Sequence, residues 1–360
     1  MKKALKIILL PILAINLMVA LLLVCCAYSP MLPAEQMPLF SLAGLAFPFA
    51  LVANVLFLLF WLFVYRRYLW VPIITLLICS AQIYTFFPIN FNQQEAPKNS
   101  LKVLSYNILS SNLLSVQINK DNPIIDYLED ADADIICLQE VYFSLLKKHK
   151  DLLIKYPYKS YLVSKGSDEA SNCLACLSKY PILSVDKLKF NSTSNGCGKY
   201  RILHDGDTIV VYNCHLQSNG MDREDRSTYE QILSNPKGNI RSKETKELIK
   251  KLRGSAAKRA EQAKIILEDL KKESSPYIIV CGDFNDSPIS YSCNQLKEQL
   301  DDAFVSSGNG PGISYNLNKL YYRIDHILHS RQFKAHKCTV DHSIKASDHY
   351  PIFCFLEKKL

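Results

Sequence analysis

Three apolar stretches without a charged side chain, roughly residues 7–28, 39–65 and 68–87, fill the first quarter of the chain and restrict it more than any other feature. Each approaches the ~20 residues that cross a bilayer as a helix. Helices of a soluble domain normally keep a polar face, and three in succession without one are hard to bury. About three transmembrane helices are therefore expected, making this an integral membrane protein. The first stretch also has the form of a signal peptide, with Lys2, Lys3 and Lys6 ahead of the apolar run, and cleavage there would leave two spans. Cys25 faintly suggests a lipid-attachment site, but bulky Val24 stands where a small residue is required.

Basic residues precede the first stretch and fall between the second and third as Arg66-Arg67, while residues 29–38 have none. By the positive-inside rule this places the N-terminus and the Arg66-Arg67 turn in the cytoplasm and sends the rest of the chain to the extracytoplasmic side. The stretches contain no ionisable groups of the kind that mark a transport pathway, which argues against a channel or transporter.

From residue 90 to 100 the sequence turns polar and loses apolar periodicity. The expected division is a helical membrane segment over 1–90, a linker over 91–100 and a single domain over 101–360. Of 42 basic and 34 acidic residues in the chain, 37 and 32 lie beyond residue 97, a net of +5. That tolerates a phosphate-bearing substrate but is far from a concentrated nucleic-acid-binding stripe.

Short β-branched, aromatic or Leu-rich runs recur at 101–108, 134–138, 158–163, 173–177, 182–190, 208–215, 277–281, 323–328 and 352–356, and read as strands. Asn122-Pro123 opens a helix to Glu129, and an amphipathic pattern runs from Lys243 to Leu270 with an interruption expected near Gly254. The alternation predicts an α/β or α+β domain. Nine cysteines lie beyond residue 100, an odd number that cannot all pair within one chain. Cys137, Cys214, Cys281 and Cys354 fall in apolar runs as small buried hydrophobes. Cys173, Cys176 and Cys197 flank polar sequence and read as disulfide partners or free thiols.

Polar residues of catalytic type close these runs: Asn107 in Leu-Ser-Tyr-Asn, Glu140 in Cys-Leu-Gln-Glu, His215 in Asn-Cys-His-Leu, Asp283 and Asn285 in Cys-Gly-Asp-Phe-Asn, Asp325 in Arg-Ile-Asp-His, and Asp348-His349 in Ser-Asp-His-Tyr-Pro. Taken singly, a carboxylate after a strand is more often a cap or turn former. Asp283 and Asn285, one residue apart, point the same way on extended backbone, and Gly282 suits a close approach just before them. Together the set supplies carboxylates for a hard cation, a base for water and donors for phosphoryl oxygens.

In this order the motifs resemble the endonuclease/exonuclease/phosphatase superfamily, which includes pancreatic-type deoxyribonuclease, exonuclease III-like and neutral sphingomyelinase-like enzymes. The resemblance spans Leu101 to Leu356. It implies a four-layer α/β/β/α sandwich and a metal-dependent phosphoric ester hydrolase using Mg²⁺ or Mn²⁺. Carried onto this chain, Glu140 ligates the metal with Asn107 and Asp348 near it. Asp283 and Asn285 position water and phosphate, His349 acts on phosphate or water backed by Asp325, and His215 stabilises phosphoryl oxygens or assists the leaving group. Asp283 and His349 share the general-base assignment.

The family's frequent Gly–apolar–Ser-Arg/Lys pattern is matched in part by Asn172 to Pro181, which makes Asn172 a candidate substrate-side group. The polar stretch from His215 to Ser255, with Arg223, Arg226, Lys237, Arg241 and Lys243, reads as a solvated insertion or, more sharply, as a lid or membrane-contacting loop; Arg259 and Gln262 read as structural. The expected function is hydrolysis of a membrane-proximal phosphate mono- or diester such as a lipid headgroup. Alternatives are a nuclease on the secreted side and an inactive membrane-bound binding protein.

Overall fold

The computed structural model describes residues 2–32, 37, 40, 42–91, 95–109, 122–142, 154–163, 172–192, 195–234, 242–317 and 320–359. Its N-terminal part contains the helices α1 (Lys2–Tyr28), α2 (Phe47–Val64), α3 (Trp70–Ile78) and α4 (Ser80–Phe86). Two stretches, Ile8–Met31 and Ala43–Val64, are long and apolar enough to cross a membrane. The third expected span is broken: Arg66–Ile78 and Ser80–Phe86 meet at 62°, and they make a third crossing only if the bent pair counts as one. Apolarity alone did not reveal the break, which falls where Cys79 leaves helical geometry at φ −91°, ψ 7°.

Ile8, Leu21 and Phe63 face outward on these helices. Hydrogen bonds link the helices inside, with Trp61 Nε1 donating to Asn16 Oδ1 at 2.9 Å and Asn54 Nδ2 to Val19 O at 3.2 Å, while Asn16 Nδ2 and Asn54 Oδ1 stay buried without a partner among the described residues. An apolar exterior over interhelical hydrogen bonds suits a lipid environment.

The strands that follow are β1 (Leu101–Asn107), β2 (Ile135–Tyr142), β3 (Tyr158–Val163), β4 (Asn172–Ser178), β5 (Ile182–Leu188), β6 (Gly196–His204) and β7 (Asp207–His215). After them come β8 (Tyr277–Asp283), β9 (Asp301–Asp302), β10 (Tyr315–Leu317), β11 (Leu320–Tyr322), β12 (Asp325–His329), β13 (Phe333–Val340) and β14 (Ile352–Lys358). Interspersed are α5 (Pro123–Asp130), α6 (Arg223–Ser234), α7 (Lys243–Leu270), α8 (Tyr291–Lys297) and α9 (Ala303–Ser307). Sheet one has the order β13-β14-β1-β2-β4-β3, sheet two β5-β6-β7-β8-β12-β9, and β10-β11 is a separate hairpin.

Period-2 alternation builds the layers. Val103, Ile135, Cys137 and Cys354 of sheet one meet Ile209, Val211, Ile279 and Cys281 of sheet two in the middle layer. Their neighbours face outward: Leu104, Ile136 and Leu138 against Ile124 and Leu128 of α5, and Val210, Ile278 and Val280 against Ala263, Ile266 and Leu270 of α7. This is the four-layer α/β/β/α sandwich expected from the resemblance.

Cys173, Cys176 and Cys197 lie inside strands, and all twelve cysteines are free, the second of the two alternatives that the sequence left open. An offset of three puts Cys173 and Cys176 on opposite faces of β4, where no bond can join them. The interruption expected near Gly254 is corrected: helix α7 runs unbroken through it, with Leu248 and Leu252 buried before that residue and Ala256, Ala260 and Ala263 after it. Strands β6 and β13 had no clear sequence signal, since glycines and alternating Lys and His dilute their apolar content.

The helices dock on the sandwich. Buried Arg323 donates to Thr85 O at 2.5 Å and lies 4.4 Å over the Phe304 ring, while Asn90 Nδ2 donates to Gly308 O at 2.5 Å. Ile289 packs among Leu23, Phe47 and Cys79. The end of α1, the start of α2 and the end of α4 thus meet the sandwich. Arg66-Arg67 lies at the far end of α2, ~27 Å away at 1.5 Å per helical residue.

Candidate active site

Backbone register alone assembles half of the site. In sheet two His215 of β7 is the parallel partner of Asp283 in β8, and Asp325 of β12 is the antiparallel partner of that same Asp283. The three side chains therefore stand in one lateral row. Gly282 makes the row possible: its φ is +134°, and a Cβ there would lie 1.9 Å from Cys214 O of β7.

Sheet one contributes from less regular backbone. The β2–β4 register shifts between Leu138 and Val141, and within that bulge Glu140 has φ +53°. Bulges re-aim side chains, and a non-glycine residue at positive φ stores strain of about 1–3 kcal/mol. Asn285, just past β8, has the same φ of +53°. Asn107 ends β1, and Asp348 and His349 precede β14. Ser347 ties these two edges together, its Oγ donating to Asn107 O at 2.9 Å and accepting from His349 N at 3.2 Å.

At the centre is the buried Asp283 carboxylate. Its Oδ1 accepts from Asn285 N at 2.8 Å, and its Oδ2 accepts from Asn107 Nδ2 at 3.0 Å and Asn285 Nδ2 at 3.1 Å. The Nε2 atoms of His215 and His349 each lie 3.7 Å from Asp283 Oδ2, on a carboxylate already oriented by amides. His349 Nδ1 is paired with Asp325 Oδ2 at 2.8 Å. Burial works against a charged ring at His349, yet the Asp325 and Asp283 carboxylates hold its pKa up to about 10. Burial pushes Asp325 up to about 6, so near neutrality the pair is an imidazolium on a carboxylate.

Asp283, Asp325 and His349 have ligand atoms within 4.8 Å of one another. This trio is nonetheless a poor cation cage, because the His349–Asp325 hydrogen bond occupies Nδ1 and the ring is cationic. The better fit lies next to it. Asp348 is raised by burial and by the negative charge of Glu140 and Asp283. Glu140 Oε1 is 3.2 Å from Asn107 Nδ2 and 3.6 Å from His215 Nε2, a buried nitrogen with no hydrogen-bond partner among the described residues. Glu140, Asp348 and the Asn107 amide thus form an oxygen-bearing cluster with surplus negative charge, the donor chemistry that a hard divalent cation takes.

A cavity of about 260 Å³ opens over the cluster and is lined by Glu140, Asp283, Asn285, Asp348 and His349. Eight of the nine expected residues converge here. The ninth, Asn172, opens β4 opposite Tyr142, and its side chain lies outside the described residues. Arg259 has the expected structural role, donating to Asp286 Oδ2 at 3.1 Å and Gln217 O at 3.0 Å, and Gln262 Oε1 accepts from Gln217 N at 2.8 Å. The sequence did not single out Tyr315, whose ring meets His349 edge-on at 5.0 Å, or the pair Gln139 and Asn213, joined at 2.7 Å between the sheets. Position beside Glu140 and His215 was their only signal. The insertion is not simply solvated: α6 faces the cavity through Arg226 and Tyr229.

Residues 104–349 match the model of the Endonuclease/Exonuclease/phosphatase family. The chain belongs to this family. Phosphoester hydrolysis is the reaction class that the family's description states. Residues 6–86 match a second model, described as a domain of unknown function. No curated protein sequence matches the chain. Among solved structures, truncated Caenorhabditis elegans TDP2 aligns with TM-score 0.52 and 18% identity over 73% of this chain and 99% of that one. The human Nocturnin catalytic domain aligns with TM-score 0.53 and 14% identity over 74% and 97%. A Bacteroides vulgatus endonuclease/exonuclease/phosphatase protein aligns with TM-score 0.51 and 16% identity over 73% and 100%. At these identities the likeness is one of fold.

Proposed function

We propose that this family member is an integral-membrane, divalent-metal-dependent phosphoesterase, with a membrane segment over 1–90, a linker over 91–100 and a catalytic domain over 101–360. One observation carries the reading: an amide-oriented Asp283 flanked by two histidines stands beside a carboxylate cluster in a single cavity. Asp283, its lone pairs fixed by Asn107 and Asn285, orients the attacking water and takes its proton. Asp325 keeps the His349 ring in place and protonated, ready to donate to a phosphoryl or leaving-group oxygen. His215 Nε2, without a hydrogen-bond partner among the described residues, stabilises phosphoryl oxygens. Glu140, Asp348 and Asn107 would hold Mg²⁺ or Mn²⁺, which when bound offsets the charge that develops on the phosphoryl group.

The docked ends of α1, α2 and α4 favour a three-span path with the catalytic domain opposite the Arg66-Arg67 turn, on the extracytoplasmic side. The chemistry is tested by assaying the purified chain on soluble phosphate esters before and after EDTA, then with Mg²⁺ or Mn²⁺ restored. Activity lost to EDTA and regained with metal is expected; full activity in EDTA would remove the metal from the mechanism. Orientation is tested by alkaline phosphatase fused after Leu360, which is expected to be active because that reporter needs export.

A further inference from the structure

The lining of the cavity over the site combines two chemistries. It includes Glu140, Asp283, Asp348 and His349 together with Leu42 and Leu45, which belong to the membrane segment just ahead of α2. Leu252 and Ala256 of α7 add to the apolar lining. Site residues and residues of the apolar N-terminal segment thus share one space, although about a hundred residues or more separate them in sequence.

Arg226 on α6 lines the same cavity. Its Nε is buried and meets no acceptor among the described residues, although its charge reaches Tyr315 together with those of Asp348, Asp283 and Glu140. A buried donor left without an acceptor favours a ligand that supplies one. Helix α6 is held in this position, with Tyr229 Oη 2.5 Å from Tyr322 Oη and Lys251 Nζ 3.2 Å from Asp222 Oδ2. The open donor is therefore presented by a fixed helix.

We infer that the cavity binds an amphiphilic phosphate ester, with Arg226 taking phosphoryl oxygens and Leu42 and Leu45 taking the first methylenes of its apolar group. The inference rests on the phosphoesterase reading and names its substrate class. At about 260 Å³ the space is smaller than the ~300–1,000 Å³ of a typical ligand site. It admits a headgroup and the start of a chain, while the remainder stays in the bilayer. The step itself is hydrolysis: water adds to phosphorus, the P–O bond to the leaving group breaks, and that oxygen leaves with a proton.

The test uses the full chain in nanodiscs with Mn²⁺ and a series of p-nitrophenyl alkyl phosphates from methyl to octyl, kept monomeric in solution. KM is expected to fall by up to about fourfold per methylene over the first few carbons and then level off. Leu45→Gln should flatten that slope. Arg226→Gln should raise KM ~10-fold or more across the series with a smaller change in kcat, and Arg226→Lys should recover part of it. Vesicle arms separate the two sources of such an ester: phosphate release from phosphatidic acid marks a lipid monoester, and headgroup release from phosphatidylglycerol marks a diester. A flat series with wild type, or efficient plasmid nicking with no vesicle hydrolysis, overturns the amphiphile proposal and leaves the phosphoesterase reading standing. Hydrolysis of no ester in the presence of metal overturns both.

Discussion

Sheet two delivers His215, Asp283 and Asp325 through unbroken strand register, whereas sheet one delivers Glu140 from a bulge and Asp348 from a turn. The row in sheet two is almost fully buried, while the Glu140 side chain keeps 22% of its surface exposed. Groups that pass protons need fixed hydrogen-bond geometry, and neighbouring strands supply it. A cation site needs oxygens that face an opening and can adjust to the ion, and irregular backbone supplies that. On the proposed roles, sheet two supplies Asp283 and Asp325 to the proton chemistry and sheet one supplies the cation ligands, while His349, next to Asp348 in the turn before β14, reaches across to Asp325.

If this division holds, the largest effect comes from sheet two. Asp283→Asn keeps the size of the side chain but removes its charge, and turnover is expected to fall ~10³-fold without recovery at high Mg²⁺ or Mn²⁺. Glu140→Gln should lower turnover ~10²-fold at limiting metal and raise the half-saturating metal concentration 10–100-fold, so that excess metal restores part of the rate. Metal titrations of the two variants measured side by side decide the matter; identical metal responses would break the comparison.

A structural contrast gives a smaller effect. Strand β6 of sheet two is fastened by Glu273, which receives both Arg201 nitrogens at 3.0 and 2.7 Å and lies 3.0 Å from Lys199 Nζ, with its side chain 1% exposed. Burial opposes the charge, but Arg201, the Ser275 N–H and Lys199 lower its pKa to about 2. A folded pKa below the unfolded value of ~4.3 adds stability that is complete above that value and is lost as pH falls towards 2. Glu273→Gln should therefore cost on the order of 3 kcal/mol at pH 7 and flatten the loss of stability between pH 5 and 2. Thermal unfolding followed by near-ultraviolet circular dichroism checks both; an unchanged acid limb would show that the clamp is not a titrating element.

The smallest effect is predicted within sheet one. Ser347→Ala removes the hydroxyl bridging Asn107 O at the end of β1 and His349 N ahead of β14, and should cost ~1 kcal/mol of stability with a several-fold drop in kcat. Wild-type kcat in that variant would mean that His349 is positioned by Asp325 and Tyr315 without help from Ser347.

Much of this protein is written locally. Uncharged apolar runs declare helices suited to lipid, because charge in hydrocarbon is penalised wherever it occurs. Period-2 runs declare strands, and the polar residues that end them declare a hydrolase site, because strand ends are where rigid backbone hands over to loops. What needed the tertiary structure depends on distant partners. The break at Cys79 is a matter of backbone direction, to which hydropathy is blind. That Cys173 and Cys176 cannot pair follows from the opposite strand faces they occupy, and β6 and β13 gain their order from neighbouring strands rather than from apolar content. Arg226 looked like one more charge in a polar insertion. Only packing placed it in one cavity with the carboxylates and with Leu42 and Leu45, because a cavity is made by segments far apart in the chain and no local pattern encodes which of them will meet.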